Sequence, residues 1–321
     1  MKFQKFTDQM NFKMITEFDF IKKYLISGEK NSKNSLNFTD DVGLVDNKIY
    51  STDTICENIH FFSKDRPYHI AQKLIRVNVS DIISKGVKPK YCLFNFSVGK
   101  NIDQKWISNF MKGLKSDINL FKLNLIGGDT TKTSSETILS LTIFGSLVNN
   151  RFIRRSSAKS GDYIYVSGTI GDSALGLFCR KKRKINILKK HKDYLLNRYL
   201  KPNPRIDLVN YINNNASAST DISDGLYSDL LNICRTSKLG ADINFNKIPI
   251  SNSAKVILSK YPKLKELIIN GGDDYELLFT GKKGLDSNKN ITEIGKMKKG
   301  RNINITDFDD ITNLDGYKHK F

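Results

Sequence analysis

Acidic side chains stand at the ends of several predicted elements. Asp40-Asp41 precedes a predicted strand, and Asp53 follows another in Ser51-Thr52-Asp53-Thr54. Asp81 lies in Asn78-Val79-Ser80-Asp81, inside a predicted helix. Asp129 comes directly behind Gly127-Gly128, Asp221 and Asp224 bracket Ile222-Ser223, and Asp273-Asp274 follow Gly271-Gly272. Carboxylates brought together repel one another unless cations sit between them. Hard divalent ions such as Mg²⁺ take oxygen ligands and keep several waters, so scattered aspartates suit them. Taken singly, each Asp reads as a turn or helix-cap residue. At Asp224, before a helix starting at Gly225, capping and metal binding are compatible.

A second element is the glycine-bearing turn from Gly168 to Gly176, whose backbone amides could converge on an anion at a helix N-terminus or make an ordinary tight turn. No GxxxxGK[ST] loop, kinase H-R-D/D-F-G set or serine nucleophile elbow is present. His60 is the histidine nearest a candidate segment, and by itself it reads as structural. Cys56, Cys92, Cys179 and Cys234 are scattered, with no CxxC, which speaks against a disulfide framework or cysteine zinc site and for a reducing cytoplasm. The net charge of +19 suggests a polyanion partner, but 41 of the 52 basic residues are lysine, in a chain rich in Asn and Ile. That pattern reads as a drifted, solvated surface, so nucleic acid and membrane are not expected partners. No apolar run reaches the roughly 18 residues of a membrane span, and no secretory h-region opens the chain.

The elements that must position these groups interleave. Strands are predicted over Val42–Val45, Lys48–Asp53, Tyr91–Val98, Leu123–Ile126, Ile138–Val148, Tyr163–Val166 and Leu277–Thr280. Helices are predicted over Thr16–Ile26, Tyr68–Lys85, Trp106–Leu120 and after the turns at 168–176 and 221–225. In the helix 68–85, Ala71, Leu74, Ile75, Val79, Ile82 and Ile83 share a face, and Gly86 and Pro89 end it. The tail from Lys282 reads as polar and weakly patterned. The expected fold class is α/β and α+β, in two domains, 1–150 and 151–321.

Eight stretches in order resemble the thiamine-monophosphate kinase family, of the aminoimidazole ribonucleotide synthetase-like superfamily. They are Asp40-Asp41, STDTICENIHF (51–61), VNVSDIISKGVKP (77–89), LIGGDTT (125–131), RRSSAKSGDYIYVSGTIGDSALGL (154–177), YLKPNPR (199–205), STDISDGLYSDL (219–230) and NGGDDYELLFT (270–280), with Gly316-Tyr317 similar to the closing motif. The resemblance implies ATP-dependent phosphorylation of thiamine monophosphate to thiamine diphosphate by direct in-line transfer, assisted by several Mg²⁺ ions. It implies metal ligation by Asp41, Thr52, Asp53, Asp81, Asp129, Asp221 and Asp224, with Ser51 assisting, and catalytic weight on Asp53, Asp129 and Asp221. Gly128, Asp129, Arg155 and Ser223 fall at ATP contacts, and His60, Asp273 and Tyr317 at thiamine contacts. It further implies a homodimer whose N-terminal sheets pair into a barrel, with an α+β C-terminal domain. Two positions depart from the family pattern: Thr39 stands where Gly is common, and Asp273 where Glu is. Another superfamily enzyme acting on a different phosphate or carboxylate is the alternative, resting on Asp273.

The acceptor in such a reaction is a phosphate oxygen, largely ionised near neutral pH, so no strong general base is needed. The obstacle is bringing two polyanions into line, which positioning and electrostatics can overcome without a covalent phosphoenzyme.

Overall fold

The computed structural model describes residues 17–26, 33–182, 184–287 and 290–308. After α1 (Glu17–Phe20) and a wide turn over Ile21–Ile26, the first half runs β1 (Gly43–Val45), β2 (Lys48–Cys56), α2 (Pro67–Ser84), β3 (Tyr91–Val98), α3 (Gln104–Leu120), β4 (Asn124–Lys132) and β5 (Ile138–Ser146). The second half runs β6 (Tyr163–Ser167), α4 (Asp172–Lys181), α5 (Lys189–Leu200), α6 (Val209–Asn215), β7 (Ala216–Asp221), α7 (Leu226–Ser237), β8 (Gly240–Asn244), α8 (Asn252–Lys260), α9 (Glu266–Asn270), β9 (Leu277–Gly281), β10 (Ile291–Lys298) and β11 (Ile303–Thr306).

The first half forms a five-stranded mixed sheet, β1-β2-β5-β3-β4, in which only β3 and β4 pair in parallel. Alternation along β2 and β5 puts Ile49, Ile55, Leu139, Leu141 and Ile143 on one face, where α2 and α3 cover them. The opposite face carries Thr52, Thr54, Ser140, Thr142 and Asn95, with Tyr50, Phe144 and Tyr91 in ring contact at one end. β4 is an edge strand, and every one of its nine residues is exposed, Leu125 and Ile126 included. It runs on through Asp129 to Lys132, where the sequence suggested a stop at Ile126. Gly128 allows this: at φ 155° a Cβ there would overlap the Phe94 carbonyl, so only glycine lets the two strands keep their register.

The second half forms a six-stranded sheet, β11-β8-β10-β6-β9-β7, with apolar clusters on both faces. β10 sits inside this sheet, between β8 and β6, and so corrects the reading of the tail as weakly patterned. A register shift between Glu293 and Gly295 breaks the alternation that would have announced a strand.

Helix α2 joins the halves. Pro67 at its first turn supplies the helical φ without a lost hydrogen bond. From Ile70 to Ser84 every residue is buried, because sheet β2–β5, helix α3 and strand β7 surround it. Its polar side chains are satisfied inside the protein. Gln72 and Arg76 bond Asp117 of α3, with Arg76 Nε at 2.5 Å, and a second Arg76 nitrogen reaches the Pro202 carbonyl at 2.8 Å. Polar groups on such a helix are therefore positioned by partners from both halves of the chain.

Candidate active site

The fold brings Asp53, Asp81, Asp221 and Asp41 into one electrostatic neighbourhood. Asp53 shares the helix-facing side of β2 with Ser51, and its amide donates to Asn78 Oδ1 of α2 at 2.9 Å. Asp81, three residues further along α2, accepts from Ser51 Oγ at 2.5 Å. One residue before it, Ser80 donates at 2.5 Å to Asp221, the last residue of β7. The Asn78-Val79-Ser80-Asp81 segment thus clamps the strand ends of both halves.

Burial pushes the Asp81 carboxyl well above the usual range, and the charges of Asp53, Asp221 and Asp41 add to it. Asp221 is pushed up to about 6, by burial first and by Asp41 second, against the Ser80 hydrogen bond and the charges of Lys85 and Arg155. Tyr275 faces the same group: burial and then Asp273, Asp53, Asp221 and Asp81 push its phenol far up. Among the described residues no three His, Cys, Asp or Glu side chains are grouped closely enough to hold a metal ion between them. Mg²⁺ does not require such a group: it keeps waters and takes one or two carboxylates together with substrate phosphates.

Asp41 has different neighbours. Its Oδ2 accepts from Lys85 Nζ at 2.6 Å and Thr220 Oγ1 at 3.1 Å, and its Oδ1 from Arg155 Nη2. Burial alone would raise it, but Arg155 and then Lys85 hold it well below the carboxylate range. Asp40 takes Lys85 Nζ at 2.7 Å and the Arg155 amide at 2.9 Å. Thr39 adopts an ordinary negative φ of −110°, so the missing glycine costs nothing there. The left-handed residues are instead Leu36, Asn37 and Phe38.

The loops after β7 and before β9 are joined to each other beside this cluster. Asp229 Oδ2 gathers the amides of Ser223 and Asp224 at 3.1 Å and of Gly225 at 3.2 Å, which shapes the loop carrying Asp221 and Asp224. The Ser223 carbonyl in turn accepts the Asp273 amide at 2.8 Å. Asp273 and Tyr275 both hold positive φ, 69° and 52°, and a strained backbone of this kind is characteristic of functional loops. Lys73 of α2, almost fully buried, donates to Asp273 at 2.9 Å and to the His60 carbonyl at 3.1 Å, and lies 4.2 Å from the Tyr199 ring centre. His60 and Asp273 are thereby joined through one ammonium. His60 Nδ1 accepts the Cys56 amide at 3.0 Å, which places the neutral ring's proton on Nε2.

The glycine turn at 168–176 gives its amides to a carboxyl group of the protein itself. Asp274 accepts the amides of Gly171 at 2.5 Å and Ser173 at 3.1 Å at the start of α4. Those amides are therefore committed within the fold.

Some expected residues stay apart within one chain. Asp129 and Gly128 are on β4, three strand spacings from β2, about 14 Å away. The Asp129 amide is held by Asn95 Oδ1 at 3.0 Å on the open face of the sheet. Thr52 points to that same open face, where its hydroxyl accepts from Thr142 at 3.1 Å, away from Ser51 and Asp53. Tyr317 lies outside the described residues. Lys73, Lys85, Asp229 and Tyr275 were not foreseen as site residues. On α2, Asp81 and Lys85 are four apart, a spacing that on an exposed helix is an ordinary solvated pair. The run Ser223–Gly225 followed by an acid four residues on was the one available signal for Asp229.

Known proteins match along nearly the whole described chain. Residues 39–147 match the family described as AIR synthase related protein, N-terminal domain, and residues 159–306 its C-terminal domain. The thiamine-monophosphate kinase of Buchnera aphidicola subsp. Schizaphis graminum is 38% identical over 299 residues, 90% of this chain and 89% of its own length. That of Aquifex aeolicus is 33% identical over 263 residues, 79% of this chain and 83% of its own. A solved structure described as AaThiL complexed with AMPPCP and TMP superposes with a TM-score of 0.85 at 32% identity, covering 95% of this chain and 97% of that one. Hydrogenase maturation protein HypE in complex with ATP, at 17% identity and TM-score 0.62, shares the fold, with 87% of this chain and 85% of that one covered.

Proposed function

The chain belongs to the thiamine-monophosphate kinase family of AIR synthase related proteins, and from that membership we propose that it transfers the γ-phosphoryl group of ATP to the phosphate of thiamine monophosphate. The products are thiamine diphosphate and ADP. The observation that carries this reading is the convergence of Asp53, Asp81 and Asp221, where burial and the neighbouring acids raise the carboxyls of Asp81 and Asp221. Such a donor set fits Mg²⁺. Asp53, Asp81 and Asp221 would hold it, Ser51 would steer Asp81, and Asp224 would add a further ligand from the loop that Asp229 shapes. Bound there, the ions would neutralise the repulsion between the two phosphorylated substrates and the charge that develops during transfer.

The chain's own groups then bind and orient. Arg155 keeps its buried Nε without a partner among the described residues, a donor to spare for a nucleotide phosphate. Ser223 offers its side chain from a loop fixed by Asp229. His60, Asp273 and Tyr317 take the thiamine moiety, with Lys73 holding Asp273 in place. The acceptor phosphate needs no base, in keeping with an acidic cluster that has no histidine among its described members.

In this reading the working unit is a homodimer and the chain divides near residue 150. The exposed edge β4 and the open face of its sheet meet a second copy in a barrel, and Gly128 and Asp129 complete a cleft built from both subunits. The edge, unpaired among the described residues, and the exposed Leu125 and Ile126 support this. No helix among the described residues is long and apolar enough to cross a membrane, and we place the enzyme in the cytoplasm.

The test is product detection after mixing the protein with ATP, Mg²⁺ and thiamine monophosphate. Thiamine diphosphate should form in step with ADP, and replacing thiamine monophosphate by other phosphorylated acceptors should abolish turnover. ADP release without thiamine diphosphate would reject the substrate assignment.

A further inference from the structure

The family resemblance puts Asp41 among the metal ligands, yet its surroundings in this chain do not fit a divalent ion. Lys85 caps the C-terminal end of α2 and is fully buried, with 0% of its surface exposed. Its ammonium has three donors. They meet three acceptors: Asp40 at 2.7 Å, Asp41 at 2.6 Å and the Ser219 carbonyl of β7 at 3.0 Å. The Asp41 carboxylate already accepts from Lys85, Thr220 and Arg155. Two carboxylates, one ammonium and one guanidinium sum to zero charge. A divalent cation added to that hydrogen-bonded group would find both carboxylates already balanced within it and little acceptor capacity left. The carbonyls ending α2 also favour a cation at this position.

We propose that Lys85 is a built-in cation that takes the place of a divalent ion at Asp40-Asp41, so that bound metal is confined to the side of the cleft formed by Asp53, Asp81 and Asp221. The proposal builds on the proposed metal-assisted activity. It makes one cation of the site permanent, tethered to the helix that also carries Asp81. Asp41 then acts as a positioning residue, which orients Arg155 and ties the segment at 155 to α2.

The experiment counts Mn²⁺ bound per chain in the presence of AMPPCP, by titration with electron paramagnetic detection of the free ion. Asp41→Asn should keep the wild-type number of ions, whereas Asp221→Asn should lose at least one or bind it more than tenfold more weakly. Lys85→Met should gain one ion per chain, and adding Asp41→Asn to that variant should remove the gain. Loss of an ion in Asp41→Asn alone overturns the proposal, as does a Lys85→Met variant with the wild-type count. Should Lys85→Met fail to fold, Asp41→Asn alone decides. If the wild-type chain binds no Mn²⁺ and Lys85→Met takes one ion that Asp41→Asn removes, the role of Lys85 stands and the proposed cluster at Asp53 and Asp221 falls.

Discussion

Asp221→Asn should make the metal-free protein more stable while it destroys turnover. In the folded chain the Asp221 carboxyl is raised from the ordinary 3.8 to about 6, mainly by burial and then by Asp41. The folded state therefore binds this proton more tightly than the unfolded state does. As pH climbs through the window from 3.8 to about 6, folding stability falls, and above that window the whole penalty remains. A rise of that size corresponds to about 3 kcal/mol at neutral pH. Asparagine removes the charge and can still accept the Ser80 hydrogen bond, so most of that figure should be recovered. Removing the charge also relieves Asp81, which feels Asp221 directly. Urea denaturation at pH 5 and pH 8 with a chelator present, repeated with saturating Mg²⁺, measures the effect. The variant should gain about 2–3 kcal/mol over wild type at pH 8 and clearly less at pH 5. Mg²⁺ should stabilise the wild type more than the variant, because an ion binding only the folded state stabilises by mass action. A variant less stable than wild type at pH 8, or equal stabilisation of both by Mg²⁺, would refute the reasoning.

Three other outcomes follow from the same geometry. Asp117→Ala leaves Arg76 buried with one carbonyl partner and should cost about 3–5 kcal/mol in chemical denaturation, with the catalytic carboxylates intact. Lys73→Met removes the ammonium between His60 and Asp273 and should raise the KM for thiamine monophosphate at least about tenfold, a loss of ~1.4 kcal/mol, with the KM for ATP nearly unchanged. Gly128→Ala forces β4 off the Phe94 carbonyl and should weaken the proposed dimer, read as a shift to monomer in sedimentation, with turnover falling in parallel. Loss of turnover in a fully dimeric Gly128→Ala protein would place the defect in nucleotide binding instead.

Local pattern was enough for the elements that carry the site. The apolar spacing from Ala71 to Ile83 announced α2, observed over Pro67–Ser84, and Trp106–Leu120 announced the body of α3. The strand holding Asp53 was legible too, although it continues to Cys56. Pattern failed where backbone irregularity hides it: the bulge in β10 disguised an interior strand, and Gly127-Gly128 looked like a stop although glycine there lets β4 continue. The proposed acidic ligands stood out as motifs, because the resemblance fixes which aspartates to watch. The cations facing it were not. Lys73 meets an acid 200 residues away, and Lys85 meets Asp41 from 44 residues away across a domain-joining helix. In the sequence both are two more lysines among 41.

The central claim is that Asp53, Asp81 and Asp221 hold cations between two phosphorylated substrates. Anomalous scattering from crystals grown with Mn²⁺, AMPPCP and thiamine monophosphate tests it most directly. The account predicts manganese peaks bonded to oxygens of Asp53, Asp81 or Asp221 and bridging to phosphate oxygens. Manganese found only on the nucleotide, with these three carboxylates making no bond to it, would contradict the account.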